Sequence, residues 1–214
     1  MSLVDKSNYG IEHFHSSHQI VSGAKKSRKR RMMHLSDSLR YVTLQKGAIL
    51  EFGVFKGYTI NLIAKRFPKE IIHGFDSFEG LPEDWDVGHR VIQGNEFTTN
   101  GKLPEVPKNV KFWVGWFDNT LPKYLKNNKD PIKLLHIDCD LYSSTVTVFE
   151  ALNQFIVKDT VIILDDFYPW GDVGYDTWQE GEYKALGEWV QKYDRQFEVL
   201  THNDHQQCTI RIEK

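Results

Sequence analysis

The chain has 214 residues, of which 40% are hydrophobic and 26% charged, and its formal net charge is −2. This length fits one domain with a sizeable core, and the charge balance gives no bulk reason to expect nucleic acid or a membrane as a partner. No apolar stretch reaches transmembrane length and no secretory leader opens the sequence, so we expect a cytoplasmic protein. Cys139 and Cys208 lie in apolar runs without metal-binding spacing, which predicts buried thiols rather than a disulfide.

The first 35 residues differ in composition from the rest, and we predict a basic N-terminal extension over 1–35 and one domain over 36–214. Segment 25–31 holds six basic residues in seven. A solvated, partly helical face is the favoured interpretation, with a phosphate or nucleic-acid patch as the alternative, although no aromatic platform is interleaved with the charges. Upstream histidines at positions 13, 15 and 18 lack nearby carboxylates and are not predicted to bind metal.

Strands and helices alternate from residue 38 onward, each with the apolar spacing its type requires. The predicted elements are a helix over 38–44, a strand over 48–52, a helix over 59–67, strands over 71–75, 110–114 and 134–137, a helix over 145–156, a strand over 161–164, a helix over 183–193, and strands over 197–200 and 208–212. This order favours a doubly wound, mostly parallel α/β sheet that ends in a C-terminal hairpin with one antiparallel edge strand.

One connection, residues 77–109, is much longer than an ordinary strand-to-helix loop. Phe78, Leu81, Trp85 and Phe97 make it too apolar for a free linker, although a mobile surface loop remains the alternative. We therefore predict a lid or substrate-binding insert, in which Phe78, Trp85 and Phe97 pack only when the crevice beneath it is filled.

Paired acids follow two of the predicted strands. Asp138 and Asp140 come after strand 134–137, and Asp165 and Asp166 come after strand 161–164. One crossover separates the two strands, so their carboxyl ends open onto one crevice. Like charges this close require a cation or shared protons, and Mg²⁺ is the simplest answer. We expect Mg²⁺ rather than Zn²⁺ because all proposed ligands are oxygens. His136 is predicted to be a buried, hydrogen-bonded strand residue, with a catalytic base as the alternative.

A second candidate site lies at the first two strands. Gly53 and Gly57 allow a tight turn after the first strand, where Glu51 could accept hydrogen bonds, and Asp76 ends the second strand at the position of a ribose-binding acid. The spacing is not that of a pyrophosphate loop, and a packing turn and a turn aspartate remain alternatives. Together these residues indicate an adenosine-type ligand.

An aromatic pair follows the third parallel strand. Trp116 and Phe117 either form a wall for an adenine ring or belong to the core, and the sequence does not separate the two.

Several of these segments, read together, resemble the macrocin O-methyltransferase family. They are 51–57 (EFGVFKG), 75–83 (FDSFEGLPE), 115–122 (GWFDNTLP), 136–142 (HIDCDLY) and the pair 165–166. The family consists of class I S-adenosylmethionine-dependent enzymes that methylate sugar hydroxyls on bacterial natural products. The resemblance covers about residues 47–190 and implies a seven-stranded Rossmann-like sheet and Mg²⁺-dependent O-methyl transfer to a small-molecule hydroxyl.

The resemblance also implies roles for particular residues. Asp138, Asp165 and Asp166 match the metal ligands of the family. Asp138 or Asp140 would receive the proton of the acceptor, or Asp140 would instead support its loop. The short basic N-terminal region departs from the longer one of the family, so the acceptor and the assembly, including a homodimer, stay open. The candidate cofactor-binding residues are Glu51, Gly53, Val54, Phe55, Gly57, Thr59, Asp76, Ser77, Gly115, Trp116, Phe117 and Asp138.

Two alternative functions remain at this point. Asp138 and Asp140 form a D-x-D string, which in nucleotide-sugar glycosyltransferases holds a metal on the diphosphate, but this leaves Asp165, Asp166 and the turn at 53–57 unexplained. The other alternative is a non-catalytic nucleic-acid-binding protein that uses the basic run at 25–31.

Overall fold

The computed structural model describes residues 24–169, 175–203 and 206–214, with side chains from residue 29 onward. In these ranges no helix is both long and apolar enough to cross a membrane. The strands are β1 (Ala48–Phe52), β2 (Ile72–Asp76), β3 (Trp85–Asp86), β4 (Val91–Ile92), β5 (Val110–Val114), β6 (Ile132–Ile137), β7 (Ile156–Leu164), β8 (Phe197–His202) and β9 (Cys208–Ile212). The helices are α1 (Ala24–Ser38), α2 (Tyr58–Arg66), α3 (Phe117–Leu125), α4 (Tyr142–Leu152) and α5 (Glu182–Tyr193).

Seven strands form one sheet in the order β5-β2-β1-β6-β7-β9-β8, which confirms the predicted doubly wound α/β fold. β1 pairs in parallel with both β2 and β6, and the strand order reverses between β1 and β6. All six residues of β6 are buried, as expected for a parallel strand covered on both faces. Ligands of such sheets bind beyond the carboxyl ends of the strands at this reversal, so the fold places the predicted acids at the expected crevice.

The C-terminal hairpin differs in one respect from the prediction. The antiparallel strand β9 lies between β7 and β8 rather than at the edge of the sheet. Leu164, the last residue of β7, pairs with Cys208, the first residue of β9. The turn before β9 therefore lies beside the acids that follow β7. Both cysteines are buried and free, as predicted.

Helix α1 crosses the domain boundary predicted at residues 35 and 36. Leu35 is buried in the core, and His34 and Ser38 contact the hydroxyl of Thr209 on β9 at 3.0 and 2.7 Å. The described part of the predicted extension thus packs on the sheet. The helix predicted over 38–44 is only the end of α1 plus one turn at Leu39–Tyr41. The upstream histidines lie outside the described residues.

The insert over 77–109 is separate from the main sheet and contains the β3–β4 hairpin. The expectation that its apolar residues pack only over a filled crevice is wrong for two of them. Phe78 is fully buried, and Trp85 is buried with its ring centroid 5.1 Å from that of Tyr175. These side chains reach the hydrophobic core directly, so they need no ligand to become buried. Leu81 and Phe97 are only half-buried.

Candidate functional site

A cavity of about 730 Å³ lies at the carboxyl ends of the parallel strands. Its walls come from the turn after β1, the end of β2, the insert, the start of α3, the loop after β6 and one turn of α1. This volume lies within the range of small-molecule sites, roughly 300–1,000 Å³. The two sites predicted separately, around Asp76 and around Asp138, therefore line a single cavity.

Asp76 organises the glycine turn after β1. One carboxylate oxygen accepts the backbone N–H groups of Val54 and Phe55, both at 2.7 Å, and the other accepts that of Phe78 at 2.6 Å. Asp76 is thus a turn aspartate, as one interpretation of the sequence held. It also lines the cavity, and its second oxygen retains acceptor capacity for a ligand hydroxyl.

Gly53 is required by the close approach of two loops. Its φ is +88°, and a Cβ atom there would lie 1.7 Å from the carbonyl oxygen of Asp138. The turn and the loop after β6 are held together further by a backbone hydrogen bond from Asp138 to Phe52, at 2.8 Å. The glycine therefore joins the two halves of the cavity.

Three predicted cofactor-binding residues do not line the cavity, and their predicted contacts are not supported by this geometry. Glu51 is fully buried, and its oxygens contact Thr59 Oγ1 at 2.9 Å and His136 Nδ1 at 3.1 Å. Gly57 is covered by Pro104, and the Gly115 N–H bonds to the backbone near the end of β2. The remaining candidates do line it: Gly53, Val54, Phe55, Thr59, Asp76, Ser77, Trp116, Phe117 and Asp138.

The aromatic pair occupies the start of α3, a helix that the sequence analysis did not predict. Trp116 precedes the first residue of α3 and lines the cavity. The ring of Phe117 also lines the cavity while packing edge-on against Phe52, with centroids 5.1 Å apart. Phe117 therefore belongs both to the core and to the cavity wall.

Asp138 and Asp165 come together, as predicted, and share one cation. The Nη2 group of Arg31 donates to Asp138 Oδ1 at 2.9 Å and also contacts Asp165 Oδ2. Arg31 belongs to the basic run that was predicted to form a solvated face, yet its side chain is only 31% exposed. Burial acts to lower the pKa of Arg31, but the charge of Asp138 and its acidic neighbours outweighs burial, so the pKa is raised.

Asp140 and Asp166 form a second carboxyl pair beside the first. Burial raises the pKa of Asp140 well above its usual range, and the charges of the nearby Asp166 and Asp138 raise it further. Burial also raises the pKa of Asp166 and of Glu182, whose Oε2 accepts the Asp166 N–H at 3.1 Å.

Two buried glutamines from the turn before β9 donate to the acids after β7. Gln206 Nε2 donates to Asp166 at 2.7 Å, and Gln207 Nε2 donates to Asp165 at 2.6 Å. Neither glutamine was predicted from the sequence to lie at the site, and neither were Arg31 and Glu182. The predicted C-terminal hairpin indicates where the glutamines lie, because an antiparallel β9 beside β7 must begin where β7 ends.

The residues present fit a divalent cation. One ligand atom each from His136, Asp138 and Asp165 lies within 4.8 Å of the others. His136 Nε2 and Asp166 Oδ2 are buried without a hydrogen-bond partner among the described residues, as expected of atoms whose partner is not part of the chain. Asp166 is adjacent but is not part of the three-residue group. This candidate group contains a histidine, whereas the ligands predicted from the sequence are three carboxylates.

Comparison with known proteins gives a consistent assignment. The family model described as macrocin-O-methyltransferase (TylF) matches residues 22–180. A curated 8-demethyl-8-(2,3-dimethoxy-alpha-L-rhamnosyl)-tetracenomycin-C 4'-O-methyltransferase of Streptomyces olivaceus is 28% identical over 107 residues, which cover 43% of this chain and 40% of that relative. The chain thus matches less than half the length of that relative.

Two solved structures share the fold. The calicheamicin methyltransferase CalS11 superposes with a TM-score of 0.69 at 24% identity, covering 86% of this chain and 79% of that one. The mycinamycin-pathway methyltransferase MycE, solved with Mg and SAH, superposes with a TM-score of 0.54 at 14% identity, covering 85% of this chain and 49% of that one.

Proposed function

The chain belongs to the macrocin-O-methyltransferase family, and from this premise we propose that it transfers a methyl group from S-adenosylmethionine to a hydroxyl of a sugar or sugar-bearing small molecule. The observation that carries the proposal is that Asp76, an acid at the position typical of nucleoside binding, and the acidic residues around Asp138 line one cavity. Methyl transfer needs its donor and its acceptor in one cavity, because the acceptor oxygen must approach the methyl carbon in line with the carbon–sulfur bond.

The half of the cavity around Asp76 is proposed to bind the donor. Asp76 would accept a ribose hydroxyl, and the turn residues Val54 and Phe55 would pass beneath the nucleoside. Trp116 and Phe117 offer apolar faces for the adenine ring, on which base-stacking contributes about 1–3 kcal/mol.

The half around Asp138 is proposed to bind the acceptor together with a divalent cation held by Asp138 and Asp165, with Asp166 alongside. A bound cation would orient the hydroxyl and ease its deprotonation. Arg31 contacts the same two carboxylates, so it must move for a cation to bind there. Arg31 of α1 is thereby part of the proposed acceptor site.

Asp138 is the proposed proton acceptor. Asp138 and Asp140 both line the cavity, but burial and the neighbouring Asp166 raise the pKa of Asp140. In the transfer, the acceptor oxygen forms a bond to the methyl carbon as the carbon–sulfur bond breaks, and the hydroxyl proton passes to the Asp138 carboxylate. Asp140 is then a structural support for the loop after β6.

The test is methyl transfer from radiolabelled S-adenosylmethionine to a panel of nucleotide-activated deoxysugars and glycosylated natural products. We expect labelled methyl ether with at least one acceptor, and loss of turnover with Asp138→Asn. EDTA should abolish turnover while donor binding remains. Full turnover in EDTA would remove the proposed role of the carboxylates, and transfer from a nucleotide sugar in place of the methyl group would favour the glycosyltransferase alternative.

A further inference from the structure

His136 Nε2 is a fully buried polar atom that no described residue contacts by a hydrogen bond. The other ring nitrogen, Nδ1, is 3.1 Å from Glu51 Oε2. This contact occupies one side of the imidazole and turns the other side toward the acids beyond β6 and β7. A buried nitrogen without a partner costs about 1–3 kcal/mol, so a partner outside the chain is expected.

The geometry around Nε2 identifies the kind of partner. Nε2 is 3.8 Å from Asp165 Oδ1, and a ligand atom of Asp138 completes a group whose members lie within 4.8 Å of one another. Metal–ligand bonds of about 2.0–2.2 Å allow two ligand atoms to lie up to about 4.4 Å apart on opposite sides of one ion. Shifts of a few tenths of an ångström would therefore bring all three atoms onto a single ion.

We propose that His136 is a metal ligand together with Asp138 and Asp165, and that the ion is a divalent first-row transition metal such as Mn²⁺. The inference deepens the proposed function and rests on it for the location of the acceptor. Glu51 is then the carboxylate that orients the imidazole, an arrangement that is common behind metal-bound histidines. An imidazole in the ligand set favours transition metals over Mg²⁺, which prefers oxygen ligands.

The inference assigns a role to Glu51 that differs from the predicted contact with the cofactor. A buried carboxylate on β1 has no access to the cavity, but it lies directly behind the imidazole on β6, where Glu51 and His136 are register partners. Thr59 holds the other oxygen of Glu51 at 2.9 Å and so fixes its orientation.

The test is pulsed electron paramagnetic resonance of Mn²⁺ added to the full-length, EDTA-stripped protein. Histidine nitrogen coupled to bound Mn²⁺ is expected in the wild type, and its pattern should change when the histidines carry ¹⁵N. In His136→Gln the coupling should disappear and the Mn²⁺ dissociation constant should rise by about tenfold or more. His73→Gln is the matched control and should leave both readouts unchanged, because His73 lies on β2, which β1 separates from β6, and its Nδ1 accepts the Trp113 N–H at 3.1 Å.

Wild-type protein that binds Mn²⁺ without nitrogen coupling would overturn the inference, as would equal affinity in His136→Gln or no Mn²⁺ binding at all. If His136→Gln does not fold, Asp165→Asn gives the answer, since Mn²⁺ affinity and nitrogen coupling that are both unaltered by this change would place the ion elsewhere. Calorimetry with S-adenosylhomocysteine on the same samples separates the two proposals. Retained nucleoside binding without nitrogen coupling refutes only the histidine ligand, whereas absent nucleoside binding refutes the proposed function.

Discussion

Arg31 places its guanidinium between Asp138 and Asp165, the two carboxylates proposed to hold the cation. One Nη2 atom serves both carboxylates, so it occupies the position that an ion would need. Two cations cannot share this space without strong repulsion. Arg31 is therefore expected to stabilise the metal-free protein and to compete with the metal.

Replacing Arg31 by Met should lower the stability of the metal-free protein, by about 1–3 kcal/mol, because two neighbouring carboxylates lose their partner. The same change should tighten Mn²⁺ binding. The difference in the free energy of unfolding between wild type and Arg31→Met should therefore be smaller at saturating Mn²⁺ than in EDTA. Urea unfolding in EDTA and in Mn²⁺ measures both effects. Lys29→Met, an exposed change on the same helix, is the control; equal behaviour of the two variants would show that Arg31 acts only through net charge.

Replacing Asp76 by Ala should weaken binding of S-adenosylhomocysteine by about 1.5–3 kcal/mol, the range for hydrogen bonds to a charged group. The change removes the proposed ribose acceptor and also leaves the backbone N–H groups of Val54, Phe55 and Phe78 without their acceptor, so the loss should lie toward the upper limit. Calorimetry provides the measurement, with Asp84→Ala in the insert as a control of similar charge. An unchanged dissociation constant for Asp76→Ala contradicts the donor-site assignment.

Helix α1 docks on the sheet through His34, whose Nε2 contacts Thr209 at 3.0 Å. Burial, together with the charge of His202 and to a lesser extent His136, lowers the pKa of His34 to about 4, against the opposing effect of Asp37. The unfolded chain binds a proton near pH 6.5 but the folded one does not, so stability is lost as the pH falls from about 6.5 toward 4.

The direction of this pH dependence of stability allows a direct test of α1 docking. Between pH 7 and pH 5 the free energy of unfolding should fall by about 2 kcal/mol through His34 alone. In His34→Gln, which can still hydrogen-bond Thr209, that part of the pH dependence should vanish. Urea unfolding of both proteins at the two pH values measures it, and identical pH dependence would mean that His34 does not titrate as the packing requires.

The insert over 77–109 contains apolar residues that are already buried and others that are only half-buried at the cavity. Phe78 and Trp85 are buried, while Leu81 and Phe97 line the cavity and are only half-buried. We expect hydrogen exchange near Phe78 and Trp85 to be slow already in the free protein. Exchange around Leu81 and Phe97 should slow only when S-adenosylhomocysteine and an acceptor are added, because local opening there exposes little apolar surface. Exchange that is unaffected throughout the insert would rule out a lid.

Much of the fold could be predicted from the sequence because buried parallel strands are nearly continuous apolar runs. The bounds of β1, β5 and β9 match the prediction. Helix α3 was not predicted because Pro122, inside the helix, is typical of a turn and because Phe117 and Tyr124 were not recognised as one helical face. Burial by the core overrides such local preferences.

The candidate site was predictable only where it follows from strand ends. Asp76, Asp138 and Asp165 end or follow parallel strands, so the topology alone brings them together. Arg31 and Gln207 reach the same point through the packing of α1 and the antiparallel placement of β9. Tertiary contacts of this kind leave no periodic signal in the sequence, which is why the basic run was interpreted as a solvated face.

The donor half of the cavity is the feature on which the whole account depends, and calorimetric titration of S-adenosylhomocysteine into the folded, EDTA-treated protein tests it most directly. We expect one molecule to bind per chain with a dissociation constant on the order of micromolar, about −8 kcal/mol. Absence of binding at millimolar nucleoside, in protein whose circular dichroism shows the folded α/β state, would contradict the assignment of this chain as an S-adenosylmethionine-dependent enzyme.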